Sequence, residues 1–119
     1  MERIKYIPGD LVYIPKFGNN YTIMSSGKYY YEAFDANYND VVIEYTDIVP
    51  IPLTPEILKK NGWQEGYGIY YYEDITVVYI DNYYWIVGLK EIADVLHINY
   101  VHQLQHFLFG LDLNSDMNL

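Results

Sequence analysis

The feature that most restricts the fold of this chain is a series of short alternating segments between residues 10 and 51. Apolar and polar residues alternate along DLVYIPK, NYTIMSS, KYYYEAFDA and VVIEYTDIVPI, and the stretches FGNN, SGK and NYND separate them. Such alternation is typical of strands with one buried face, and Gly, Asn and Asp are preferred in tight turns. The pattern therefore predicts an antiparallel β-meander.

The first part of the chain is predicted to be a small barrel. Short strands at a spacing of roughly ten residues are typical of small sandwiches and barrels. The segment PGDLVYI at residues 8–14 is also similar to the opening of SH3-like barrels. We therefore expect residues 1–51 to form an SH3-like antiparallel barrel, with another four-stranded antiparallel sheet as the alternative.

Residues 52–119 are predicted to form a helix, an antiparallel sheet and a second helix. Prolines in PIPL make a stiff connector, and Thr54 is a suitable N-cap for a helix that begins at Pro55 and ends at Asn61–Gly62. GIYYYED, ITVVYI and YYWIVG are predicted strands, with Asp81–Asn82 as a hairpin turn. Residues 88–98 are ambiguous, with extended structure favoured at their end. The whole chain is predicted to be α+β and β-rich, either in two parts or as one compact domain.

A C-terminal helix is predicted from about Tyr100 to Phe109, capped by Asn99 and ended by Gly110. Apolar residues recur there at three- and four-residue spacing and make one apolar face. These residues are Tyr100, Val101, Leu104, Phe107 and Leu108. Residues 111–119 lean towards polar composition and are expected to be a docked or partly disordered tail.

Composition excludes several classes of function. The chain has 119 residues, a net charge of −9 and no cysteine, so neither disulfides nor thiolate chemistry is available. Its lysines are scattered and its only arginine is Arg3, which argues against direct binding of a nucleic-acid backbone. The charged N-terminus does not read as a signal peptide, and no apolar run has the length of a membrane helix. We expect a soluble cytoplasmic protein, and self-association through strand edges stays open.

Tyrosine is the compositional anomaly, with 16 Tyr against 4 Phe. A tyrosine packs its ring and keeps its hydroxyl in water, so many tyrosines on strands indicate half-exposed faces that bind partners. The candidate partner-binding residues are Tyr29, Tyr30, Tyr31, Tyr70, Tyr71 and Tyr72. Because side chains alternate along a strand, only half of each triplet is expected to point outward.

The segment HQLQH at residues 102–106 places two histidines one helical turn apart, which is a spacing that can bind one metal ion. His102 and His106 are therefore weak candidate metal ligands. The zinc-protease motif H-E-x-x-H needs a glutamate as general base, and Gln103 stands in that position here. The alternative is that His102, Gln103, Gln105 and His106 form the solvated arc of an ordinary helix.

Two motifs together carry a resemblance to a known group. PIPLTPEILKKNGW at residues 50–63 and YVHQLQHFLFGLDL at residues 100–113, with a Tyr-rich sheet between them, resemble a widespread group of small uncharacterised proteins of gut-bacterial phages and prophages. Members typically pair a PIPLTEEIL…GF segment with a YVHQLQN segment, and many begin with a GDLV-like strand, here residues 9–12. The resemblance covers residues 8–113.

The resemblance implies a phage or mobile-element origin and a cytoplasmic setting, and it carries no activity that could be transferred to particular residues. Members of the group usually have Asn where this chain has His106, which weakens the metal interpretation. The shared V-H-Q-L-Q is instead expected to fix the helix against the sheet, with His102 and the glutamines bonding to backbone or to each other.

Three functional hypotheses follow. The first is a non-enzymatic module, without a cofactor, that binds a protein partner through a Tyr-rich sheet surface. The second is an acidic decoy that inhibits a host defence or transcription protein that binds nucleic acid. The third is a metal-binding protein that uses His102 and His106.

Overall fold

The computed structural model describes residues 5–73, 75–80, 83–87 and 96–119, which contain two five-stranded antiparallel sheets. The first sheet has the order β4-β3-β2-β1-β5, and a 3₁₀ turn at Tyr45–Asp47 precedes its last strand. Its strands are β1 (Leu11–Ile14), β2 (Asn19–Ser26), β3 (Tyr30–Phe34), β4 (Asp40–Glu44) and β5 (Val49–Pro50).

The second sheet is a meander in which each strand pairs with the next along the chain. Helix α1 (Pro55–Lys60) precedes the sheet, and helix α2 (Val101–Gly110) follows it. The strands are β6 (Gln64–Gly66), β7 (Ile69–Tyr72), β8 (Ile75–Ile80), β9 (Tyr83–Val87) and β10 (Leu96–Ile98).

Each sheet has its own hydrophobic cluster, and β1 contributes to both. Val12 and Ile14 are fully buried in the first cluster. Leu11 and Tyr13 alternate with them and pack against the second cluster, which also contains Leu58 of α1 and residues of α2. A strand with both faces covered reads as a nearly continuous apolar run, and LVYI fits that description.

The predicted α+β, strand-rich class with antiparallel sheets and a C-terminal helix is confirmed. Closure of the first sheet into an SH3-like barrel is not shown, because β4 and β5 lie at its opposite edges and do not pair with each other within the described ranges. Strand β10 confirms extended structure at the end of the ambiguous segment. The predicted turn at Asp81–Asn82 and residues 88–95 lie outside the described residues.

The helix boundaries follow the predicted capping chemistry at α1 and depart from it at α2. Thr54 Oγ1 accepts the N–H of Ile57 at 3.2 Å, as expected for an N-cap. At α2 the predicted cap Asn99 is wrong, since Tyr100 occupies that position. Gln103 Oε1 accepts the N–H groups of Asn99 and Tyr100 at 2.8 and 3.1 Å, so a side chain in the first turn satisfies the backbone N–H of the N-cap residue.

Candidate functional site

The two motifs that define the resemblance lie side by side in the structure. The Leu53 N–H donates to the Asn99 carbonyl at 2.8 Å, and the Val101 N–H donates to the Ile51 carbonyl at 2.9 Å. Pro52 and Tyr100 form an isolated antiparallel bridge between these two bonds. The PIPL connector therefore positions the start of α2.

Gln105 attaches α2 to the turn that precedes β1. Its Oε1 accepts the Leu11 N–H at 2.9 Å, and its Nε2 donates to the carbonyl oxygens of Gly9 and Ser115 at 3.0 and 3.1 Å. The side chain is buried, and these bonds use one acceptor site and both amide donors. One amide therefore links the first strand, the last helix and the C-terminal segment.

His106 makes the second attachment to the same turn. Its Nε2 lies 2.8 and 2.9 Å from the two carboxylate oxygens of Asp10, and Asp10 Oδ2 also accepts the Ile7 N–H at 2.9 Å. Asp10 is 1% exposed. Burial raises the pKa of the Asp10 carboxyl above its ordinary value, while the bonds from Ile7 and His106 act in the opposite direction.

His102 is surrounded by three aromatic rings, one of which is that of His106. The Tyr6 ring meets it edge-on at 5.1 Å between centroids, the Tyr100 ring stacks on it at 5.9 Å, and the His106 ring is 5.6 Å away. Its Nδ1 is buried without a hydrogen-bond partner in the part of the chain that the structure describes. Burial, assisted by the charge of His106, lowers the pKa of His102 to about 4, so the ring is neutral at neutral pH.

The HQLQH segment is therefore a structural joint in this fold. The interpretation of a solvated arc is wrong for His102 and Gln105, which are 5% and 4% exposed. The expectation that this segment fixes the helix against the sheet agrees with the bonds of Gln105 to the backbone of Gly9 and Leu11. Gln103 bonds only to backbone at the start of its own helix, and the bond expected from His102 is not present at its Nδ1 among the described residues. Within the described ranges, no group of three or more potential ligand side chains is arranged for a metal ion.

The six candidate tyrosines divide between the interior and the surface. Tyr31 and Tyr70 are 2% and 4% exposed and lie in different hydrophobic clusters, which removes both from any surface of the folded chain. Tyr72 is half-buried and stacks on Trp63 at 5.2 Å. The three exposed members are Tyr29 and Tyr30 at β3 and Tyr71 in the second sheet.

The outward side of β3 and β4 forms one continuous surface, which we call the β3–β4 face. Its cross-strand pairs are Tyr30 with Glu44, Glu32 with Val42, and Phe34 with Asp40. Tyr30, the first residue of β3, and Val42, in the middle of β4, are 51% and 67% exposed, and they lie diagonally across the β3–β4 pair. This surface therefore presents apolar area to solvent without a covering element among the described residues.

Charge on this surface has one sign. Glu32, Asp40 and Glu44 are all exposed on the β3–β4 face, while β2, β3 and β4 contain no lysine or arginine. The Tyr30 hydroxyl lies 3.5 Å from Glu44 Oε1. Apolar and acidic side chains thus alternate on the face, and together they fit a partner that is both apolar and basic.

Side-chain hydrogen bonds hold the turn between β3 and β4, at one end of the β3–β4 face. Asp35 Oδ1 accepts the N–H groups of Asn37 and Asn39, each at 2.9 Å, and Asn39 Nδ2 donates to Asp35 Oδ2 at 3.1 Å. These bonds, led by those from Asn39, lower the pKa of the Asp35 carboxyl. Tyr38, which is 80% exposed and absent from the sequence candidates, stacks on Phe34 at the edge of the face. Its signal was the NYND turn, where a tyrosine stands among turn-forming residues.

Known proteins offer no guide to this site. Neither protein families, nor curated proteins, nor solved structures contain a match to this chain. None of the helices within the described ranges is long and apolar enough to cross a membrane. The functional proposal therefore depends on the geometry of the chain's own residues.

Proposed function

We propose that this protein is a small non-enzymatic binding module that contacts a protein partner through the β3–β4 face. The observation that carries the proposal is the exposure of Tyr30 and Val42 at 51% and 67% on neighbouring paired strands. Exposed aromatic and aliphatic side chains surrounded by polar groups have the composition of an interface centre with a polar rim.

The candidate chemical groups elsewhere support a binding role over catalysis. His106 is already paired with Asp10, and His102 is neutral and sealed beneath aromatic rings. Asp10 occupies Nε2 of His106, which leaves only its Nδ1 for a metal ion, and within the described ranges no group of three or more ligand side chains could complete a site. The two glutamines of the segment, Gln103 and Gln105, are both bonded to backbone.

The biological setting belongs to the same proposal. The paired PIPL and YVHQLQ motifs support a phage or mobile-element origin, and with it a role in the cytoplasm of a bacterial host cell. The two motifs are in contact, and backbone hydrogen bonds between them hold the PIPL connector to the start of α2.

An acidic decoy is the second candidate, and one observation favours it. Carboxylates of Glu32, Asp40 and Glu44 share the β3–β4 face without a basic residue on its strands. A row of negative charges can compete with a phosphate backbone for a basic groove. Release of the partner by added duplex DNA distinguishes a decoy from a module that binds elsewhere on its partner.

The test is capture of partners from bacterial lysate by immobilised full-length protein and by two variants. Tyr30→Ala combined with Val42→Thr removes apolar area from the β3–β4 face and keeps the strand backbone. Tyr67→Ala is the matched control, because Tyr67 is fully exposed at a hairpin turn of the other sheet. We expect the face variant to lose a partner that the wild type and the control both retain.

Either of two results would contradict the proposal. The first is a partner retained equally by the face variant and the wild type. The second is loss of the same partner with Tyr71→Ala alone, which would transfer the binding surface to the second sheet.

A further inference from the structure

Strand β4 is an edge strand with one side of its backbone open. It pairs with β3 on one side, and within the described ranges no strand pairs with its other side. Unpaired N–H and C=O groups along an edge strand are a template for an added strand. The position of β4 at the margin of the β3–β4 face makes it part of the proposed interaction surface.

Two backbone hydrogen bonds, one at each end of the β3–β4 pair, determine which backbone groups of β4 are open. The Tyr45 N–H donates to the Tyr29 carbonyl and the Asp35 N–H donates to the Asn39 carbonyl, both at 3.1 Å. Because hydrogen-bonded and non-hydrogen-bonded pairs alternate in an antiparallel ladder, Val41 and Ile43 direct their N–H and C=O groups towards β3. Asp40, Val42 and Glu44 therefore direct theirs towards the open edge.

The same three residues also present their side chains on the outer face. Asp40, Val42 and Glu44 are exposed, whereas Val41 is half-buried and Ile43 is buried. A strand added to this edge would therefore place every second side chain beside an acid, an aliphatic group and an acid in turn. Backbone bonds and side-chain chemistry are offered by the same residues.

Charge decides between a second copy of this chain and a different partner. Antiparallel self-pairing centred on Val42 would set Asp40 of one copy against Glu44 of the other at both ends, and like charges directly opposite are destabilising. A net charge of −9 adds repulsion between copies. A segment with basic residues opposite both acids has the complementary pattern.

We propose that β4 binds an extended basic segment of a partner protein as an additional antiparallel strand. The segment has the pattern basic-x-apolar-x-basic, so that its basic residues meet Asp40 and Glu44 and its apolar residue meets Val42. This inference rests on the proposed function and specifies the chemistry of the partner for the same face.

The experiment titrates isotope-labelled full-length protein with the synthetic peptide Gly-Ser-Arg-Thr-Val-Thr-Arg-Ser-Gly and records amide NMR spectra. We expect saturable shifts that are largest at the open-edge amides of Asp40, Val42 and Glu44. A peptide with both arginines replaced by glutamate is expected not to bind. Affinity is expected to fall as salt is raised, because the charged groups are at the surface.

Two N-methylated peptides form the decisive control, since neither alters the protein. Methylation at the central valine blocks an amide that faces β4, whereas methylation at a threonine blocks an amide that faces away. We expect the first change to weaken binding by about tenfold or more and the second to leave it within about threefold. In the protein, Val42→Pro removes one N–H on the open edge, whereas Val42→Thr reduces the apolar side chain and keeps that N–H. We expect Val42→Pro to weaken binding of the peptide more than Val42→Thr does.

The inference is overturned by absence of saturable binding, by shifts centred outside residues 40–44, or by equal weakening from both methylated peptides. It is also overturned if light scattering shows a dimer that Val42→Pro dissociates, because a second copy would then occupy the edge. These results are separable from the proposed function. Partner capture that depends on Tyr30 but survives Val42→Pro would leave the face in place and remove only the added strand.

Discussion

The bonds of Gln105 allow a quantitative test of how α2 is attached to the first sheet. In a Gln105→Leu variant the side chain keeps a similar volume but leaves the Leu11 N–H and the carbonyl groups of Gly9 and Ser115 without their partners. The change therefore isolates hydrogen bonding from cavity formation. Because the side chain is 4% exposed, water cannot replace the amide at its own position.

The expected magnitude follows from the three bonds. Each is worth about 0.5–1.5 kcal/mol net, and a buried donor left unpaired costs about 1–3 kcal/mol. Gly9 is exposed and Ser115 is half-exposed, so their carbonyl groups regain water, and the Leu11 N–H accounts for most of the loss. We expect the free energy of unfolding to fall by about 2–3 kcal/mol.

Urea unfolding of wild type and variants measures this difference. Gln105→Glu is expected to be at least as damaging at neutral pH, because a carboxylate keeps the acceptor for Leu11 but faces two carbonyl oxygens. Phe109→Ala is the control on the same helix, since Phe109 is 72% exposed, and it should stay within about 0.5 kcal/mol of wild type. A Gln105→Leu variant as stable as that control would refute the reasoning.

Three further predictions concern the two histidines of the HQLQH segment and the N-cap of α1. The pKa of His102, about 4, lies below its unfolded value of 6.5, so the stability that comes from the neutral ring is present above pH 6.5 and is lost as the pH falls towards 4. Over this range the free energy of unfolding of the wild type should fall by about 3 kcal/mol more than that of His102→Phe. Urea unfolding at several pH values measures the difference. Thr54→Ala should lower the free energy of unfolding by about 1 kcal/mol through loss of the α1 cap, with Thr54→Ser close to wild type. Titration calorimetry with zinc should show no stoichiometric binding that depends on His106, whereas zinc bound at one equivalent and lost in His106→Asn would restore the metal interpretation.

Local chemistry made the elements of this fold predictable from the sequence. Alternation and turn residues predicted most strands of both sheets, but they missed β6 and treated β4 and β5 as one strand. Thr54 and Pro55 predicted the start of α1. These signals act over a few residues, so they survive without knowledge of tertiary structure. Whether the first sheet closes depends on how its edges meet in space, and no local pattern specifies that.

A helical wheel could not predict that the HQLQH segment is buried. The wheel correctly grouped the polar residues, but it could not show that the turn before β1 lies opposite them. Gln105 and His106 bond to residues 94 and 96 positions away in the chain. Polar side chains that satisfy distant backbone look like solvated ones in the sequence, because both need the same residue types.

The tyrosine triplets show that a sequence pattern does not specify which residues of a strand face the interior. Alternation predicted that only part of each triplet would face outward, and the register decided which part. Tyr31 pairs with Ile43 across β3 and β4 and points into the first cluster, which leaves Tyr30 on the outer face. A shift of one residue would have exchanged their roles.

Hydrogen–deuterium exchange of the full-length protein with and without its captured partner tests the central claim most directly. If the partner binds the β3–β4 face, peptides covering residues 29–34 and 40–44 gain protection, with the open-edge amides of Asp40, Val42 and Glu44 protected most. Peptides from the second sheet should exchange at unchanged rates. Protection confined to residues 64–80, with β3 and β4 unchanged, would contradict the account.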